Sequence, residues 1–188
     1  MSLSFNFVKN FQTVRLSFIL FFILITSCSS SKEQASKDQI PPPRVNCPEG
    51  GDCTFEVLQK SKLALKTDQT GASYVEIEPG ENVVIRYHFK KDPEPDVMDS
   101  SHSEYLYFEI NPGRVEISLK DADLQKVKMI YGRVCFCKGE TGYFPVRKGN
   151  LFVYQNDGDL LVRGAFSVKK VPQTLTEIDE RITYYPRQ

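Results

Sequence analysis

The chain offers two imidazoles, His88 and His102, and neither stands in a setting that would arm a nucleophile. A serine or cysteine hydrolase needs a base within hydrogen-bond reach of its attacking group, and no Gly-x-Ser-x-Gly elbow is present to hold one. Glycine-rich loops that cradle phosphate are missing too. Paired carboxylates could run glycoside hydrolysis, but among 24 acidic residues nothing in the sequence selects two. The densest acidic stretch, "KKDPEPDVMDSSHSE", carries Asp92, Glu94, Asp96 and Asp99, whose oxygens could converge on calcium. It has no glycine for the sharp turn of the usual calcium loops, so a solvated acidic loop is expected. Asn156-Asp157-Gly158-Asp159 shares a few letters with such a loop and reads better as a hairpin turn. His88 reads as a partly exposed sheet residue. The expectation is a protein that is not an enzyme and carries no cofactor or metal.

Aromatic side chains are the other group with chemistry to offer. Tyr105, Tyr107, Tyr143, Phe144 and Tyr154 fall on strand-like segments at positions that can face outwards. Exposed rings on a β-sheet can stack on sugars or anchor a protein partner. The competing reading is a second layer of core, and the chain has no Trp. Tyr105, Tyr107, Tyr143 and Tyr154 are the candidate residues for binding a protein or saccharide ligand. Nucleic acid is not an expected partner. Basic and acidic residues balance at 24 each, and residues 1–27 hold Lys9 and Arg15 but no acid, so the rest of the chain is slightly acidic and lacks a basic stripe.

The N-terminus is the most specific part of the sequence. A mixed stretch with two positive charges leads into "LSFILFFILI" at residues 16–25, followed by Thr26, Ser27 and Cys28. That order is a secretory signal. A helix of that length rises only about 15–18 Å, well short of a hydrocarbon core of roughly 30 Å. Ile25-Thr26-Ser27-Cys28 resembles the lipobox of bacterial lipoprotein precursors. The resemblance implies cleavage before Cys28, a lipid on the Cys28 thiol and often an acylated new amino terminus. Two or three acyl chains at about 0.8 kcal/mol per buried methylene hold a protein to a bilayer durably, where one chain does so only marginally. By the same analogy Ser29 points to the outer membrane, with the periplasmic or surface orientation left open. Residues 29–46, "SSSKEQASKDQIPPPRVN", cannot bury enough apolar area to order themselves and read as a tether. It would hold a domain on average about 25 Å from the membrane.

With Cys28 assigned to lipid, four cysteines remain: Cys47, Cys53, Cys135 and Cys137. Outside the cytoplasm an even set is expected to be oxidised, with three connectivities open. Zinc-knuckle spacing and a redox Cys-x-x-Cys are both absent. If Cys135 and Cys137 share one face of a strand, they reach neighbouring strands better than each other. Cross-links from the Cys47/Cys53 segment to the Cys135/Cys137 strand are therefore expected. Loop entropy agrees in direction, at roughly 4.6 kcal/mol for a long bridge against roughly 2.4 kcal/mol for closing "CPEGGDC", although the Gly50-Gly51 pair would let the small loop close.

The elements that must position these residues alternate with period two. In "ENVVIRYHFKK" Val83, Ile85, Tyr87 and Phe89 fall on one face; in "YLYFEI" Leu106, Phe108 and Ile110 oppose Tyr105, Tyr107 and Glu109. Val115, Ile117 and Leu119 form a third set, and Val162, Gly164, Phe166 and Val168 a fourth. One-sided strands with short turns at Gly71, Pro79-Gly80, Asn111-Pro112-Gly113, Lys138-Gly139 and Asn156-Asp157-Gly158 predict an all-β, antiparallel β-sandwich of about eight or nine strands. The stretch 121–128 is the one short helical candidate. After Pro172 the chain reads either as a capped turn, with Thr174 and Glu177 at capping-box spacing, or as a last strand. The organisation expected is a signal peptide over 1–27, a lipidated cysteine and tether over 28–46, a β-sandwich over 47–172 and a tail over 173–188. The function expected is a lipid-anchored envelope lipoprotein with a non-catalytic binding or structural domain. The alternatives are an extracytoplasmic inhibitor or immunity-type protein, with the acidic segment 92–104 blocking an enzyme, and a carboxylate-based polysaccharide hydrolase.

Overall fold

A computed structural model describes residues 47–183, apart from Arg114 and Asp157. The lipobox, signal segment and tether, and the central Asp157 of the expected hairpin turn, lie outside the described residues.

Alternating apolar positions produce ten strands among the described residues, all in antiparallel pairs: β1 Gly51–Thr67, β2 Ser73–Pro79, β3 Asn82–Lys91, β4 His102–Ile110, β5 Val115–Lys120, β6 Ile130–Cys135, β7 Gly142–Pro145, β8 Gly149–Gln155, β9 Asp159–Phe166 and β10 Glu177–Thr183. They form a six-stranded sheet, β2-β1-β3-β4-β6-β7, and a four-stranded sheet, β10-β9-β8-β5. The expected all-β, sandwich-like fold is borne out, with slightly more strands than the turn signals suggested. The helical candidate is a 3₁₀ helix, Asp121–Val127, whose Leu124 and Val127 enter the core.

The expected inward sets meet between the sheets. Val83, Ile85, Tyr87 and Phe89 of β3 and Leu106, Phe108 and Ile110 of β4 pack with Leu151 and Val153 of β8 and Leu160, Val162 and Phe166 of β9. Burial of each such side chain is worth about 1.5–3 kcal/mol. Gly149, at φ 134°, opens β8 where a Cβ would lie 2.1 Å from the Ala165 carbonyl oxygen, so only glycine fits that start.

The opposite face of the larger sheet is also partly covered. Its edge strands β2 and β7 approach one another, and Leu63, Val84, Tyr107 and Ile130 form a second buried cluster with Leu58, Val75, Ile77, Tyr105 and Tyr143 packed against it. The bend originates in β1. Its first half pairs with β3, its second half with β2, and the register shifts between Leu58 and Ser61, where Lys60 has φ 51°. Past Ser61 the strand outruns β3, and side chains replace the missing ladder. The Glu109 carboxylate accepts from the Leu63 N–H at 2.8 Å, and Lys128 Nζ donates to the Leu63 carbonyl at 3.2 Å while pairing with Glu109 at 2.7 Å.

Two differences from the sequence reading stand out. Of the segment set apart as a tail, Glu177–Thr183 is β10, paired with β9, and Leu175 and Ile178 sit in the main core. Glu180, buried at an inward position, interrupts the apolar alternation and conceals that strand. The cysteines pair locally, Cys47 with Cys53 and Cys135 with Cys137, rather than across the sheet. The reason is strand order: β3 and β4 lie between β1, which carries Cys53, and β6, which carries Cys135. Three strand spacings are about 14 Å, beyond the roughly 7 Å that a disulfide can span between Cα atoms. Nor do Cys135 and Cys137 share a strand. β6 ends at Cys135 and the chain bends at Phe136, bringing the two Cα atoms to 5.3 Å.

Candidate functional site

Register places one row of polar and aromatic residues across the outer face of the six-stranded sheet. Thr54 pairs with His88, His88 with Tyr105, Tyr105 with Gly132 and Gly132 with Tyr143. The next row runs from Glu56 to Arg86, Tyr107 and Ile130. The spacing between opposite residues, about 4.5–5.5 Å between Cβ atoms, brings the rings into contact. His88 stacks on Tyr105 at 4.3 Å and 6° between planes, Tyr105 stacks on Tyr107 at 5.8 Å, and Tyr107 meets Tyr143 at 6.3 Å. Such contacts add about 0.5–1.5 kcal/mol each beyond area burial.

Gly132 makes the row continuous. A Cβ there would lie 2.5 Å from Cε1 of Tyr143, so the Tyr143 ring occupies the space above the glycine. Tyr107 is buried, while His88, Tyr105 and Tyr143 are half-exposed, so the row is core at its centre and accessible at its ends. Arg86 forms an ion pair with Glu56 beside it.

Burial keeps His88, Tyr107 and Tyr143 neutral. Burial, and secondarily the charges of Arg86 and Lys90, lowers the His88 pKa against the opposing pull of Glu56, so its imidazole is uncharged at pH 7; its Nε2 lies 3.1 Å from the Ser103 hydroxyl. Burial pushes the phenols of Tyr107 and Tyr143 above their usual range, which leaves both protonated. The cluster can offer flat π-faces, phenolic hydroxyls and one ion pair to a ligand, a combination suited to stacking and hydrogen bonding.

Of the four tyrosines singled out from sequence, Tyr105, Tyr107 and Tyr143 are thus together. Tyr154 is not with them: it is exposed on β8 of the smaller sheet, with the Asn156 side-chain amide 3.4 Å from its hydroxyl. Phe144 packs against the main core. Glu56, Arg86 and His88 were missed as partners of the tyrosines. The shared face of Arg86 and His88 was visible in the alternation of β3, but the strands opposite them, including β1 with Glu56, were not.

Other polar groups are committed to structure. Glu104, fully buried, accepts from the N–H groups of Thr174 (3.0 Å) and Leu175 (2.6 Å) and bonds His102 Nε2 at 2.8 Å. In the acidic loop Glu94 pairs with Lys91 at 2.7 Å. Among the described residues no three His, Cys, Asp or Glu side chains converge as a metal site. The Cys47–Cys53 bridge borders a cleft of about 360 Å³ shared with Pro48, Glu49, Thr174, Thr176 and Glu177. No protein-family model, no curated protein and no solved structure matches this chain.

Proposed function

We propose that this protein is a lipid-anchored lipoprotein of the bacterial cell envelope whose β-domain binds a ligand, without turnover, on the outer face of its six-stranded sheet. The observation that supports the binding half is the row His88–Tyr105–Tyr107–Tyr143, whose rings stack from His88 to Tyr107 and which is half-buried at its two ends. The anchor half rests on Ile25-Thr26-Ser27-Cys28 and the tether that follows. A saccharide suits the row best, because sugar rings present apolar faces to stack and hydroxyls to pair with phenols and the Arg86–Glu56 edge.

Binding to an immobilised panel of envelope polysaccharides tests the site. Tyr105→Ala should weaken binding by about tenfold or more, in line with loss of one aromatic contact at a binding centre, while Tyr154→Ala should not change it. Equal effects of the two substitutions, or none of either, would sink the assignment. In the same cells Cys28→Ala should move the protein from the membrane fraction to the soluble one. Unchanged processing and membrane association would remove the anchor.

A protein partner reached through the acidic loop is the second reading. Within the segment 92–104, Val97 and Met98 are exposed, Met98 at 92 %, and could seat in a partner's pocket. Cross-linking at Met98 that captures an envelope enzyme, with loss of that enzyme's activity, would favour this reading over the saccharide.

A further inference from the structure

We propose that the Cys135–Cys137 pair is a thiol–disulfide exchange site that reacts with cysteine thiols of other envelope proteins. The inference takes the envelope location from the proposed function and otherwise rests on the thiol chemistry of this tip, independently of what the aromatic row binds.

The two bridges differ in kind. Cys53 is 7 % exposed and belongs to the main core, so Cys47–Cys53 ties the start of the domain to packed structure. Cys135–Cys137 encloses a single intervening residue at the end of β6. So short a loop removes little freedom from the unfolded chain, so the bridge is a poor brace. Cys135 and Cys137 are half-buried rather than enclosed in the core, and beside them Phe136 is 83 % exposed and Val134 41 % exposed, giving an incoming peptide an apolar foothold next to the sulfurs. A disulfide outside the packed core, within reach of an incoming thiol, is the kind that exchanges.

The two sulfurs are not equivalent. Cys135 is fixed in the sheet, and its N–H donates to Thr141 Oγ1 at 3.1 Å. That hydroxyl donates to the Cys135 carbonyl at 2.7 Å and lies 3.6 Å from the Cys135 sulfur, toward which it can turn when charge appears there. A hydroxyl that turns to donate stabilises a thiolate. Cys137 has left the strand and is the sulfur to be attacked.

The step balances as follows. A partner thiolate attacks Sγ of Cys137, the bond to Cys135 breaks, and the electron pair leaves on Cys135 as thiolate. A second thiol of the partner, once deprotonated, attacks the partner's own sulfur in the mixed disulfide and releases Cys137. The partner dithiol is oxidised to a disulfide and the Cys135–Cys137 pair is reduced to two thiols; run backwards, the same steps reduce a partner disulfide.

Equilibrating the full-length protein in glutathione buffers, then alkylating and weighing peptides, tests this. Cys135 and Cys137 should become reduced at a reduced-to-oxidised glutathione ratio about tenfold or more below that needed for Cys47 and Cys53. Brief exposure of the oxidised protein to reduced glutathione, quenched with acid, should place the mixed disulfide on Cys137 at least several-fold more often than on Cys135. The Cys135→Ser and Cys137→Ser variants should each lose less thermal stability than Cys47→Ser, since the shorter loop braces the fold less. Reduction of all four cysteines at one ratio, equal trapping on the two sulfurs, or a loss of thermal stability in both variants as large as that of Cys47→Ser would each overturn the proposal.

Discussion

Gly132 shows how a single position governs the candidate site. It lies between Tyr105 and Tyr143 in one cross-strand row, and the Tyr143 ring covers it. Gly132→Ala should force that ring off Tyr107 and destabilise the domain by about 1–3 kcal/mol, as overpacking does. A lowered Tm together with a changed near-UV circular dichroism of the tyrosines would establish this; an unchanged tyrosine signal would show that the ring does not rest there. Sequence alone reached three members of this cluster, Tyr105, Tyr107 and Tyr143, because alternation sorts side chains to faces. Tyr154, exposed as expected, lies on the other sheet, and Glu56, Arg86 and His88 were missed, because which residues lie opposite one another depends on strand order. The cysteine pairing failed for the same cause: with β3 and β4 between them, β1 and β6 cannot be bridged.

Among the elements, β1 is the least regular and does the most to shape the larger sheet. Its 17 residues serve β3 before the bulge and β2 after it. The Glu109 and Lys128 side chains stand in for the ladder that β3 no longer supplies at Leu63. Glu109→Ala should leave the Leu63 N–H and the Lys128 ammonium without their acceptor and cost about 1.5–3 kcal/mol. The loss should be local first: hydrogen exchange should accelerate over β2 and the second half of β1 more than over β8 and β9. Uniform acceleration would mean that the clamp serves global stability only. The strands themselves were legible wherever apolar alternation was clean, as in β3 and β4. The bulge was not, since nothing local in "LQKS" announces a positive φ at Lys60, and β10 stayed ambiguous because Glu180 occupies an inward position that a sequence reading assigns to solvent.

Across the whole molecule, two buried carboxylates join the sheets and respond oppositely to pH. Glu104 of the larger sheet holds the chain that leads into β10. Burial alone would raise its pKa, but the hydrogen bonds from Leu175, His102 and Thr174 outweigh it and hold the carboxyl below its usual range. A carboxyl lowered in the folded state lends stability above its unfolded pKa and withdraws it as pH falls. Glu180 of the smaller sheet, by contrast, is pushed up to about 7 by burial, with the Tyr87 hydroxyl acting against the shift and Asp179 adding to it. Its neutral form is the one the fold prefers, so its contribution is whole below the unfolded value near 4.5 and is lost as pH rises to about 7. The loss is at most about 3 kcal/mol and is reduced by whatever solvent reaches the carboxyl. Urea unfolding between pH 3 and 8 should therefore show maximal stability near pH 4.5–5, falling on both sides. Glu180→Gln should flatten the limb from pH 5 to 8 and raise stability at pH 8, whereas Glu104→Gln should lower stability at pH 8 and remove the acidic limb. If Glu180→Gln lowers stability at pH 8 instead, the carboxyl is ionised and held by a donor, and the two sheets are joined there by charge rather than by a shared proton.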